Sequence, residues 1–301
     1  MQSREQQSRE QFLRTLQALP GSRSTAPAQT GPYGLIGLGE GALAAELLHV
    51  FVDRRLTSAG TQFVLASGDW EGTADDYASM AEVSGATALR LGNGTLDKLD
   101  GLVERGVFST YHYAQWVAHA TGNAEHAHEA DRLMHAVADR CAPHHEEGNP
   151  ARDLAWSLWS RTPLLLAPQG EQFLVWAWQL VLARVGKSMS VPVDRDPLYV
   201  LTGAFEARHE TGDERLALIL GEEDQEMALA REILESRVDE VILVPFPDGS
   251  SGYAGSLALW YFGLWVAYYL AERYNQDPND GKALREVFAS LDTPAERTDL
   301  N

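Results

Sequence analysis

Short apolar runs recur along this chain, and most are followed by a polar or glycine-bearing break and then by helical spacing. Tyr33–Leu38 leads into Ala42–Val52, and Gln62–Ala66 and Ala86–Leu91 are each followed by a helix-like stretch. After a polar break at Cys141–Pro150 the rhythm restarts. Leu164–Ala167 is an apolar run, Glu171–Val185 is helical and Leu198–Thr202 reads as extended. Leu216–Leu220 and Val241–Val244 then flank a helix over Glu223–Glu235. Such alternation predicts α/β architecture, with parallel sheets flanked by helices on both faces. The 301 residues accommodate two domains, at roughly 100–200 residues each. The expected division is an N-terminal helix and linker over 1–32, a first α/β domain over 33–150 and a second over 151–301.

The N-terminal pattern Phe12, Leu13, Leu16, Leu19 with Arg4, Arg9 and Arg14 predicts an amphipathic helix and lacks the apolar core of a signal peptide. The most apolar stretch, Leu257–Leu270, has fourteen residues and is followed by Glu272 and Arg273. That is short of the ~20 residues a bilayer requires, so a buried helix in a soluble, cytoplasmic protein is expected. Trp156, Trp159, Trp176, Trp178, Trp260 and Trp265 fall at near-helical spacings and read as core or dimer-interface residues rather than stacking platforms.

Charge narrows the function. With 24 Lys+Arg against 43 Asp+Glu, the chain carries a formal charge of -19. This excludes general nucleic-acid binding and docking on anionic membranes. A single cysteine, Cys141, forms no intrachain disulfide and builds no cysteine-based metal site. His126 and His128, or His144 and His145, are spaced so that they do not converge on one helix face, so no metal is expected.

Two loops carry candidate chemistry. Gly37-Leu38-Gly39-Glu40-Gly41-Ala42 follows the first strand and opens a helix, where glycines bring backbone N–H groups close to an anion. It also reads as G-x-G-x-x-A, a dinucleotide pattern. That reading wants an acidic residue about 20 residues on, whereas Asp69 lies 28 residues past Gly41. The second loop, Ser67-Gly68-Asp69-Trp70-Glu71-Gly72-Thr73, offers hydroxyls that either hold a phosphate or cap the next helix. Gly-Ser-Ser-Gly at 249–252 is a small-ligand turn or a plain loop.

The order of these segments carries a resemblance. A strand then GLGEGALAAEL, a strand then SGDWEGTADD, then RTPLLLAPQGEQFLVWAWQLVLARVGK, FEARHETGDERLALIL and YYLAERYNQDPNDGKALREVF resemble two sugar isomerase (SIS) domains in tandem. The chain looks like a divergent member of the bifunctional phosphoglucose/phosphomannose isomerase family over about residues 33–290. The resemblance implies two SIS-like domains, a homodimer, a sugar phosphate or related derivative as ligand, and no cofactor. The implied reaction interconverts glucose-6-phosphate or mannose-6-phosphate with fructose-6-phosphate, in a pocket between the domains.

Residue by residue, the resemblance implies substrate binding at Gly39, Gly41, Ser67 and Thr73. Relatives carry a loop like GMGGSG, with a phosphate-binding Ser where this chain has Gly41, and a loop like SYSGNT where this chain has Asp69 and Glu71 between Ser67 and Thr73. Glu40, Asp69 and Glu71 therefore place negative charge in the phosphate loops, where each close repulsion costs on the order of a few kcal/mol. His209 fits the ring-opening histidine, with Glu206 and Glu210 as stand-in carboxylates, and Arg285 fits a basic residue of the final helix. The position of the family's catalytic glutamate falls on Val181, which abstracts no proton. The alternative is a non-catalytic carbohydrate-derivative-binding or structural dimer protein.

Overall fold

The computed structural model describes residues 4–22, 26–67, 70–93, 99–103, 106–145, 147–204, 214–283 and 286–287. Helix α1 (Arg4–Ala18) buries Phe12 and Leu16, as its apolar stripe predicts. The first sheet holds β1 (Tyr33–Leu38), β2 (Thr61–Ala66), β3 (Thr87–Gly92) and β4 (Gly101–Leu102) in the order β1-β2-β3-β4, all parallel.

Two helices connect these strands: α2 (Glu40–Leu47), extended by a short 3-10 turn through Val50, and α3 (Glu71–Ser84). Helix α2 packs in the hydrophobic cluster with Leu35, Phe63 and Leu65, whereas α3 packs against Val64, Ala66 and Ala88. They therefore cover opposite faces. Two same-direction crossovers on opposite faces would need opposite hands, and parallel crossovers are nearly always right-handed. The path after α2 supplies the reason. The chain passes the outer edge of β1, where Gly34 and Asp53 form a parallel bridge and the Leu35 N–H donates to the Asp53 carbonyl, before it reaches β2. The winding thus reverses between β1 and β2. Buried Arg90 on β3 fixes α3 through Asp75 at 3.0 Å and Glu82 at 2.8 Å.

Helices α4 (Ser109–Ala120), α5 (Ala124–Cys141) and α6 (Pro150–Leu158) lead into the second half. The polar break lies between α5 and α6. There Asn149 caps α6 by accepting the Arg152 N–H at 3.1 Å, and Pro150 takes the first helical position. The second sheet contains β5 (Thr162–Leu166), β6 (Val191–Pro192), β7 (Arg215–Leu220) and β8 (Glu240–Val244), parallel in the order β6-β5-β7-β8. Helix α7 (Phe173–Arg184) packs on the face carrying Leu165 and Leu218. Helix α9 (Gln225–Glu235) packs on the face carrying Leu166, Ala217 and Ile219.

Two expectations need correction. Leu198–Thr202 is not a strand but part of α8 (Pro197–Ala204). Proline is preorganised for a helix start, and Leu201, three residues after Leu198, reaches the same cluster as α9. The apolar stretch at 257–270 belongs to a longer helix, α10 (Gly252–Arg273), of 22 residues. That helix is long and apolar enough to cross a membrane, yet its apolar window is 94% buried inside the protein. It packs against α5, α6 and α7, and the hydroxyl of Tyr261 donates to the Leu16 carbonyl at 2.7 Å, docking α1. Its cluster includes Leu35, Phe63 and Leu65 of the first sheet and Leu165, Leu216 and Leu218 of the second. One hydrophobic core therefore serves both halves.

Candidate functional site

In doubly wound sheets, ligands bind at the carboxyl ends of the strands where the winding reverses. The described residues contain two such points, which differ in the loops they bring together. At β5/β7 the loops carry Glu171, Glu222, Glu223 and Asp224. Burial raises the Glu171 carboxyl above its ordinary range, and the Ser256 hydroxyl donates to it at 3.2 Å. Arg231 engages Glu223 at 2.6 and 3.2 Å, and Asp224 caps α9 by accepting the Met227 N–H at 2.8 Å, so these side chains are spent within the fold.

At β1/β2 the two glycine- and serine-bearing loops meet. Gly39 adopts φ 56°, a conformation natural to glycine, and a Cβ there would stand 2.5 Å from Ser67 Oγ and 2.7 Å from Trp70 Cδ1. Gly39 and Ser67 are thus in direct apposition at the entry to α2, and Trp70 is 43% exposed beside them. The loop is fixed from behind: the buried Tyr113 hydroxyl donates to the Ala66 carbonyl at 2.7 Å, and the Trp70 N–H donates to the Ser67 carbonyl at 2.9 Å. Thr73 is exposed on the first turn of α3. Gly41 is buried against β2, where a Cβ would stand 2.5 Å from the Leu65 carbonyl oxygen. Only its backbone is available to a ligand.

Glu40 does not stand in this crevice as a bare charge. Its Oε1 accepts from Arg184 Nη1 at 2.7 Å, and its Oε2 accepts from Ser109 Oγ at 3.0 Å and the Gly106 N–H at 3.3 Å. The repulsion expected from Glu40 is therefore offset by a cation from the second half. Asp69 lies outside the described residues, and so does the side chain of Glu71. Gly106 and Arg184 also line a cavity of about 680 Å³, together with Lys187, Tyr274 and Asp280. The Lys187 ammonium donates to the carbonyls of Arg184 and Asp280, each at 2.7 Å, and burial lowers its pKa from the ordinary lysine value. A volume of this size suits a sugar phosphate.

Val181 is 1% exposed inside the core, so no proton-abstracting group projects from that position. His209, Glu206 and Glu210, within 205–213, lie outside the described residues, as does Arg285. Cys141 is buried and its thiol is pushed up to about 12, which leaves no thiolate nucleophile at neutral pH. Ser250 of the Gly-Ser-Ser-Gly segment donates to the Pro247 carbonyl at 2.6 Å and so serves the turn that precedes α10. Trp178, Trp260 and Trp265 are buried, while the exposed Trp156 and Trp159 hold Arg273 between them at 4.2 Å each. His126 packs on Phe51 and His128 on His119. Sequence reasoning missed Arg184, Lys187, Ser109 and Gly106. The available signal was two cations closing an apolar helix in a chain with so few.

Residues 12–122 match the phosphoglucose isomerase N-terminal domain, and residues 147–287 match the bacterial phospho-glucose isomerase C-terminal SIS domain. Among solved structures, a glucose-6-phosphate isomerase like protein from Thermus thermophilus is 33% identical, with a TM-score of 0.80 over 96% of this chain and 99% of that chain. Tagatose-6-phosphate ketose/aldose isomerase from Escherichia coli shares the fold at 12% identity, with a TM-score of 0.53 over 91% of this chain and 92% of that one. Glucosamine-6-phosphate deaminase from Thermotoga maritima does so at 11% identity, with a TM-score of 0.58 over 92% and 96%. No curated protein sequence matches the chain.

Proposed function

Because the chain belongs to the phosphoglucose isomerase family, we propose that it binds a hexose 6-phosphate at the β1/β2 crevice and interconverts its aldose and ketose forms. In this reading glucose-6-phosphate or mannose-6-phosphate exchanges with fructose-6-phosphate. The phosphate sits on the backbone N–H groups of Gly39 and Gly41 and on the hydroxyls of Ser67 and Thr73, and the sugar extends into the cavity beside Arg184. The observation that carries the reading is the apposition of Gly39 and Ser67 at the entry to α2, with Glu40 engaged by Arg184. Helix entries favour anions, because the first N–H groups have no intrahelical partner.

For catalysis, His209 opens the ring, and Glu206 or Glu210 takes the C2 proton. The freed electron pair forms the C1=C2 bond of an enediol while the C1 carbonyl oxygen gains a proton. Return of a proton to C1, with loss of the proton on O2, gives the ketose. Arg285 supplies a positive charge near the developing negative oxygen. The protein acts as a cytoplasmic homodimer of two-domain chains, with domains over 33–150 and 151–301.

A second reading has its own support. The apolar core position of Val181 favours a protein that holds a sugar derivative without isomerising it. A coupled assay at high enzyme concentration separates the two, run with glucose-6-phosphate and mannose-6-phosphate and beside thermal melts in the same sugars. The first reading predicts turnover and a rise in Tm, since a ligand bound only to the folded state stabilises it. A rise in Tm without turnover leaves the binding protein. Neither effect would sink both.

A further inference from the structure

Arg184 closes α7 and crosses from the second half to reach the first turn of α2. Its guanidinium carries five N–H donors in a planar fork, and one hydrogen bond, from Nη1, goes to Glu40. The side chain is 36% exposed and lines the 680 Å³ cavity. Lys187, the other cation of that wall, points its ammonium at two backbone carbonyls and is committed to tying the end of α7 to the segment around Asp280. Glu40, by contrast, is anchored independently of Arg184, because Ser109 and Gly106 hold its second oxygen. The carboxylate thus keeps its own anchors when the fork turns to another anion.

We propose that Arg184 is the specificity-determining cation of the crevice: it reads the phosphate of the bound sugar from the second half, exchanging its resting partner Glu40 for that anion. The inference rests on the hexose-phosphate reading above. Charge-assisted, bidentate arginine–phosphate pairing is the chemistry involved. A dianion entering beside Glu40 requires such a counter-charge.

The sign of two substitutions tests this. Binding of fructose-6-phosphate and of inorganic phosphate is measured by calorimetry for the wild type, Arg184→Gln, Arg184→Lys and Glu40→Gln, with thermal melts of each protein. The proposal predicts that Arg184→Gln weakens both ligands at least about tenfold, the scale of one lost charged hydrogen bond. Arg184→Lys recovers part of the loss, because it keeps the charge without the fork. Glu40→Gln tightens both ligands, since it removes a negative neighbour and frees the guanidinium. If Arg184 merely latches the halves together, Arg184→Gln and Glu40→Gln weaken binding alike, and the proposal fails. Unchanged affinity in Arg184→Gln also overturns it while leaving the hexose-phosphate reading intact. A wild type that binds neither ligand overturns both. Should Arg184→Gln not fold, the opposed effects of Arg184→Lys and Glu40→Gln carry the same decision.

Discussion

Truncating Trp260 to alanine lowers the stability of the protein by about 3–5 kcal/mol, the range for removing a large aromatic from a packed core. Trp260 is fully buried on α10, in a cluster that includes strands of both sheets. The cavity left behind loosens the first half and the second half together. Urea denaturation followed by far-ultraviolet circular dichroism is expected to give one transition, shifted to lower urea, in both wild type and variant. Trp260→Phe costs much less, because the ring is largely kept and the buried indole Nε1–H has no hydrogen-bond partner among the described residues to lose. A variant that melts in two separated steps would mean that the halves hold separate cores.

Replacing Gly41 with serine also destabilises, by about 1–3 kcal/mol, as overpacking does, and does not improve phosphate binding. The resemblance to relatives suggests the opposite, since a serine there helps hold the phosphate. In this chain α2 lies so close to β2 that a Cβ on Gly41 would stand 2.5 Å from the Leu65 carbonyl oxygen and 2.7 Å from Leu65 Cβ. Gly37 lies on the same side, where a Cβ would stand 2.7 Å from Ala45 Cβ. The obstructing atoms are backbone and strand side chains, which have no free rotamer to adopt. Thermal melts with and without fructose-6-phosphate check this. A serine variant with unchanged Tm and tighter binding would show that the Cβ position of Gly41 opens onto the ligand rather than onto β2.

These cases also show what the sequence made legible. Strand–helix alternation sufficed for the α/β architecture and for β1, β2 and β3, because each keeps an apolar run that ends at a glycine or a polar break. It failed at Leu198–Thr202, where a short apolar run fits strand and helix equally and the preceding proline decided the outcome. It also shortened α10, since Tyr253, Gly255 and Ser256 do not look like helix formers until packing buries them. At the site, Gly39 and Ser67 were readable because each belongs to a loop after a strand. The Glu40–Arg184 pair was not, because partners 144 positions apart share no local pattern. For that reason Glu40 read as an obstacle to phosphate, whereas the fold gives it a cation.

The central claim is that the crevice between β1 and β2 holds the phosphate of a sugar. A crystal structure of the wild type with fructose-6-phosphate tests it most directly. The phosphate is expected within hydrogen-bond distance of Ser67 Oγ and of the Gly39–Gly41 backbone, with an Arg184 N–H on it and the sugar in the cavity beside Gly106. Phosphate density elsewhere in the molecule, with Gly39, Ser67 and Arg184 untouched, would contradict it.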